Sequence, residues 1–182
     1  MYLTQCIRPN ITFAVNLLSR FSFKSTRIRC HEVKHIFHYL QWTIDLGLFY
    51  PKETTNHSLV GYTNLGYKSD LNKARSQIGY LFCYNGIAIS WCSTKQTLVE
   101  TFTNHFENII LYETGKECVR LRSVISHIQN TCHLTLVVNY PTTIYENNAT
   151  SVAQVRGRFV KGDKTKHILS KFFYTRELQE SW

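Results

Sequence analysis

Residues 78–91 read IGYLFCYNGIAISW. Two apolar, β-branched and aromatic runs, Ile78 to Tyr84 and Ile87 to Trp91, flank the dipeptide Asn85-Gly86. Asn-Gly tolerates the positive φ angles of a two-residue turn, so the stretch predicts a β-hairpin. Upstream, Leu59 to Asn64 predicts a further strand. Downstream, Thr103 to about Ile128 has helical spacing, with a break expected near Gly115, where glycine costs about 1 kcal/mol relative to alanine. Leu134 to Val138 and Thr142 to Tyr145 read as extended, Asn148 to Val155 as helical, Arg156 to Lys171 as a basic loop, and Phe172 to Trp182 as a final helix cut short by the chain end. A hairpin followed by alternating helix and strand implies an α/β fold, a mixed sheet with flanking helices.

The first 45 residues have helical spacing instead. Pro9 suits a helix start, and Ile11, Ala14, Val15, Leu18 and Phe21 recur every three or four positions. After a polar break at Ser22 to Thr26, Val33, Ile36, Phe37 and Leu40 mark the apolar face of a second helix, and the pair should form an antiparallel hairpin. Leu46 to Tyr50 is expected as a short strand, and Pro51 to His57 as a linker. The expected division is a small helical part, 1–50, and an α/β domain, 58–182.

Composition narrows the partners. Lys and Arg number 21 against 12 Asp and Glu, a formal charge of +9, which suits a polyanion such as nucleic acid. No stretch approaches the roughly 18 apolar residues of a membrane span. The N-terminus MYLTQCIRPN lacks the pattern of a secretory signal. The six cysteines form no CxxC pair and are expected as reduced, mostly buried thiols of an intracellular protein, cytoplasmic or nuclear.

Seven strings, LVGYTNLGY, KARSQIGYLF, ISWCSTKQ, TNHFE, ECVRLRS, PTTIYENNA and KGDKTKHI, occur in this order. Together they resemble the RNase H domain of copia-type retrotransposon Pol polyproteins. YLTQCIRPNITFAVNLLSRF and VKHIFHYLQWTIDLGLFY resemble the reverse transcriptase tail of the same polyproteins. The resemblance implies an RNase H-like fold for 58–182, a polyprotein fragment, and a chain without the polymerase active site.

It also implies a chemistry. RNase H-like nucleases cut a phosphodiester with two magnesium ions, one activating water and one stabilising the leaving oxygen. Magnesium wants anionic oxygen ligands. The family's four acidic positions fall here on Asn64, Glu107, Asn147 and Leu169. Only Glu107 keeps its charge, so it is the one expected metal ligand, against a charge of +4 on two ions. Glu146 precedes Asn147 on a presumed strand, so its side chain is expected on the opposite face. Phe106 replaces a small residue beside Glu107. Such scattered changes, Gly115 among them, resemble drift.

The expected function is thus a degenerate, catalytically inactive RNase H-like domain with residual nucleic-acid binding and no cofactor. One alternative is an active magnesium-dependent endonuclease cutting the RNA strand of RNA–DNA hybrids; another is a domesticated, non-enzymatic nucleic-acid-binding protein. Arg75, Ser76, Lys95, Lys161, Lys164, Lys166 and His167 are the expected phosphate contacts, with a solvated basic loop as the alternative. Cys30 with His31, His35 and His38 on one helix face, and Cys118, His127, Cys132 and His133, have loose zinc spacing but lack evident partners; a solvated polar face is the expectation for the histidines.

Overall fold

The computed structural model describes residues 2–23, 26–51, 58–70, 75–95, 103–133, 141–157 and 166–181, except for the side chains at 65–70, 75–76, 103–106, 166–169 and 181. Three helices come first: α1 (Tyr2–Cys6), α2 (Pro9–Ser19) and α3 (Arg27–Trp42). Strands β1 (Leu59–Asp70), β2 (Arg75–Tyr84) and β3 (Ile87–Lys95) follow, then α4 (Thr103–Thr131), β4 (Thr143–Glu146), α5 (Ala149–Gly157) and α6 (Lys166–Ser181).

The predicted hairpin is present. Asn85 and Gly86 have φ of 55° and 77°, which turns β2 directly into β3. The sheet order is β3-β2-β1-β4. β2 pairs antiparallel with both β1 and β3, and β4 pairs parallel with β1, Val60 against Thr143 through Thr63 against Glu146. A parallel return needs a crossover, and α4 supplies it. The result is the mixed sheet with flanking helices that the sequence predicts.

Strand alternation decides what faces α4. Leu59, Gly61 and Thr63 of β1 are buried, whereas Tyr62 and Asn64 are exposed. Leu59 and Phe82 pack with Cys118 and Leu121 of α4, flanked by Tyr80, Tyr84, Ile89, Ile125 and Ile144. Ile78, Ile109 and Ile110 form a second cluster. Gly61 lets the wholly buried Phe82 ring lie against the backbone: a Cβ there would be 2.7 Å from Phe82 Cε1.

Gly115 reads differently here than in the sequence. α4 runs through it unbroken, and a Cβ would meet Leu178 Cδ1 of α6 at 3.1 Å. The glycine is a close-packing position between two helices, not a break. α6 itself starts at Lys166, so the segment from there to Lys171, expected as loop, is helical. Leu134 to Val138 lies outside the described residues.

The other sheet face meets the N-terminal helices. Gln77, next to core-facing Ile78, is 1% exposed and accepts from Arg20 Nη2 at 2.9 Å while its amide donates to Ser93 Oγ at 2.6 Å and to Asn16 Oδ1 at 3.3 Å. Trp91 Nε1 donates to the Thr4 carbonyl at 2.6 Å. Pro9 opens α2, and Thr26 caps α3 by accepting from Arg29 N at 3.4 Å. Val33 and Phe37 of α3, expected to face inward, are exposed, because no element covers that stripe among the described residues. Leu46 to Tyr50 forms no strand. Leu46, Phe49 and Tyr50 are exposed, and the segment is tied to β3 by a side chain, Tyr50 Oη donating to the Ala88 carbonyl at 3.0 Å.

Candidate catalytic site

The carboxylates meet where β1 and β4 run parallel beneath the first turns of α4. Glu107 lies in α4 and is 6% exposed. Glu146 ends β4 opposite Thr63 of β1 and accepts a hydrogen bond from the Thr63 hydroxyl. Asn148 links the two acids. Its backbone N–H donates to Glu146 Oε1 at 3.0 Å, and its side-chain amide donates to Glu107 Oε1 at 3.4 Å. Its Oδ1 accepts from Thr150 N and Ser151 N at 3.0 and 3.2 Å, capping α5. Asparagine is among the preferred residues at that position because its side-chain oxygen satisfies otherwise unpaired helix amides.

Glu146 was expected on the opposite face, and the structure corrects this. Parity in β4 runs the other way: Ile144 packs inward and Tyr145 is exposed, so Glu146 turns in toward Glu107. Asn64 and Asn147 are both exposed. Their backbones directly follow the paired Thr63 and Glu146, so the family positions adjoin in the chain trace. Alternation along β1 nonetheless puts the Asn64 side chain away from buried Thr63, on the face of Tyr62. Thr63, Glu146 and Asn148 are therefore the residues that gather at Glu107.

Electrostatics follow from this packing. Burial, then the negative charge of Glu146, pushes the Glu107 carboxyl up to about 7, and the Asn148 hydrogen bond only partly offsets them. Its Oε2 is buried without a hydrogen-bond partner. Nearby, Asn108 is buried, and its amide donates to Gln154 Oε1 at 3.4 Å.

The donor set does not fit magnesium. Glu146 Oε1 and Oε2 and Glu107 Oε1 already accept hydrogen bonds from the protein. Each of these oxygens keeps a second lone pair, while Glu107 Oε2 is buried without a hydrogen-bond partner. Magnesium demands near-octahedral ligation by anionic oxygens, and only two carboxylates gather here among the described residues, one of them with its pKa pushed up to about 7. Among the described residues no group of three or more His, Cys, Asp or Glu is arranged to hold a metal, which leaves both histidine–cysteine sets without a metal geometry. His31 and His35 instead meet edge to face, with ring centroids 4.4 Å apart.

The expected phosphate contacts are scattered over several elements. Lys95 ends β3, in register with Gln77. Arg75 and Ser76 open β2, while Lys166, His167 and Leu169 lie in the first turn of α6; the side chains of these five are outside the described set. Lys161 and Lys164 lie outside the described residues altogether. Of the six cysteines only Cys118 is buried; Cys6, Cys30 and Cys132 are exposed, contrary to the expectation of mostly buried thiols. Burial raises the pKa of Cys118, Cys83 and Cys92.

Strand order, parallel return and an acidic residue on the crossover helix define an RNase H-like domain. No family model matches the chain. It is 30% identical over 178 residues to the retrovirus-related Pol polyprotein from transposon TNT 1-94 of Nicotiana tabacum, covering 98% of this chain and 13% of that one. The corresponding polyprotein from transposon RE2 of Arabidopsis thaliana is 26% identical over 174 residues, 96% of this chain and 11% of that one. It is also 36% identical over 121 residues to the secreted RxLR effector protein 161 of Plasmopara viticola, covering 66% of this chain and 84% of that protein. Over most of its length the chain is homologous to the retrovirus-related Pol polyproteins of copia-type transposons, and it spans only about an eighth of the Pol polyproteins it matches. A solved structure, LC11-RNase H1 in complex with RNA/DNA hybrid, superposes with a TM-score of 0.39 at 19% identity, over 66% of this chain and 77% of that one; the superposition is loose, and the fold rests on the strand order. Among the described residues no helix is long and apolar enough to cross a membrane.

Proposed function

We propose that this chain is a catalytically silent RNase H-like domain of a copia-type Pol polyprotein that still binds nucleic acid through its positive charge. One observation carries the silence. Only two carboxylates, Glu107 and Glu146, gather at the cluster among the described residues, and the pKa of Glu107 is pushed up to about 7, so little negative charge is available to hold two divalent ions. The neutral amides of Asn64 and Asn147 add no anion at the family positions. Without a bound cation no water is activated and no leaving oxygen is stabilised. Binding rests on +9 of formal charge and is sequence-independent, since phosphates carry no base information.

The test is cleavage of a labelled RNA–DNA hybrid in magnesium and, separately, in manganese, which accepts neutral oxygen and nitrogen donors more readily. The unmodified chain should leave the RNA strand intact in magnesium. Cleavage that disappears in Glu107→Gln would overturn the proposal and give Glu146 the role of second carboxylate. The variant Asn64→Asp, Asn147→Asp, Leu169→Asp then locates the defect. Activity in it assigns the loss to missing charge. Silence in a folded variant assigns it to the strand parity that turns Thr63 and Glu146, rather than residues 64 and 147, toward Glu107.

A further inference from the structure

On the face of the sheet away from α4, Tyr62 of β1 and Tyr145 of β4 stack across the parallel strands. Their ring centroids are 5.4 Å apart and the planes 19° from parallel. Both are about half exposed, 46% and 56%. The N-terminal helices meet this face over β2 and β3, through Gln77 and Trp91, and among the described residues the β1–β4 side is open. Asn64 shares the face of Tyr62 by alternation and is exposed, as is Asn147 just beyond Tyr145. On β2, Leu81 stands directly opposite Tyr62, and Gly79 stands opposite Asn64 in the next row on this face.

We infer that this tyrosine pair is a base-stacking platform for single-stranded nucleic acid. Two near-parallel rings already form a short stack, and a third flat aromatic ring extends it on the side of β4, which ends the sheet order among the described residues. Exposed amides at its margin can pair with base edges, while the chain's positive charge holds the phosphates. A duplex hides its base faces inside its own stack, so the platform takes unpaired, splayed bases. The competing account is a cross-strand pair that merely supports the sheet, worth about 0.2–1 kcal/mol. The inference shares with the proposed function only the class of ligand; it concerns the opposite face and base faces rather than phosphates.

The experiment compares oligo(dT) with an abasic strand of equal length, hence equal charge, by fluorescence anisotropy on the full chain. The unmodified protein should favour the base-bearing strand by on the order of tenfold. Tyr62→Ala with Tyr145→Ala should bring that ratio to one and leave abasic binding unchanged, and the Tyr→Phe pair should keep it. Photocrosslinking of a 5-iodouracil strand to the unmodified chain needs no variant to fold; adducts are expected on the peptides carrying Tyr62 or Tyr145. Equal affinity of the unmodified protein for both strands, an unchanged ratio in the folded Ala variant, or adducts confined to other peptides would each overturn the platform while leaving phosphate binding standing. Failure to bind either strand overturns both readings.

Discussion

Glu107→Gln should stabilise this protein at alkaline pH and do almost nothing at acidic pH. The carboxyl moves from an ordinary 4.5 to about 7 on folding, chiefly through burial and then through the charge of Glu146. A raised carboxyl pKa means that between those values the folded state holds more protons than the unfolded one. Stability therefore falls as pH rises across that window, and the loss is complete above the folded value. At 1.36 kcal/mol per pKa unit the full shift corresponds to about 3 kcal/mol, and relaxation of the protein around the charge lowers this to about 2. Glutamine keeps an acceptor for the Asn148 amide and carries no charge, so it removes the penalty. For a chain of this size about 2 kcal/mol moves the melting temperature by about 4–8 °C. The assay is thermal unfolding of both proteins from about pH 4 to about pH 8.5, read as the difference between them so that other groups cancel. The variant should melt higher at alkaline pH, and the gap should close near pH 4. A flat difference, or a variant less stable at the alkaline end, would refute the account of a buried, uncompensated carboxylate.

Gly61→Ala should destabilise by about 1–3 kcal/mol, seen in urea unfolding, because the fully buried Phe82 ring has nowhere to go when a methyl group arrives 2.7 Å from its edge; an unchanged midpoint would mean that the β1 backbone yields instead. Nucleic-acid affinity should fall steeply with salt, and changing Lys161, Lys164 and Lys166 together to Gln should shrink the slope of log affinity against log salt by about 3. A slope untouched by that triple change would move the phosphate contacts elsewhere on the surface.

Much of this fold was readable from local chemistry. Asn85-Gly86 fixes the hairpin through backbone sterics alone, and Pro9 marks its helix start through a missing N–H. Those signals need no knowledge of what packs where. The errors arise where a partner decides. Gly115 reads as a helix fault until Leu178 of α6 is seen against it. Leu46 to Tyr50 has the composition of a strand, yet it meets the edge strand β3 through the Tyr50 side chain and forms no backbone ladder with it. The acidic cluster was half legible. Glu107 was named, but the side-chain parity of β4 was carried over from Asn147, and one residue of slip exchanges the two faces of a strand. Thr63 and Asn148 escaped notice because their roles are set by neighbours across the sheet. Asn148 did leave a local trace: an asparagine directly before Ala-Thr-Ser is a helix cap in waiting.

Asn148 also changes how folding depends on the surrounding solution. Carboxylates gathered around an ion repel one another when it leaves, and such a fold becomes hostage to metal supply. Here amide and hydroxyl hydrogens from Asn148 and Thr63 meet three of the four carboxylate oxygens and leave Glu107 Oε2 without a partner. If, as proposed, the native state binds no divalent ion, the folding equilibrium is uncoupled from divalent-ion activity, because only species bound by the native state stabilise it. A chelator should leave the melting curve where it was.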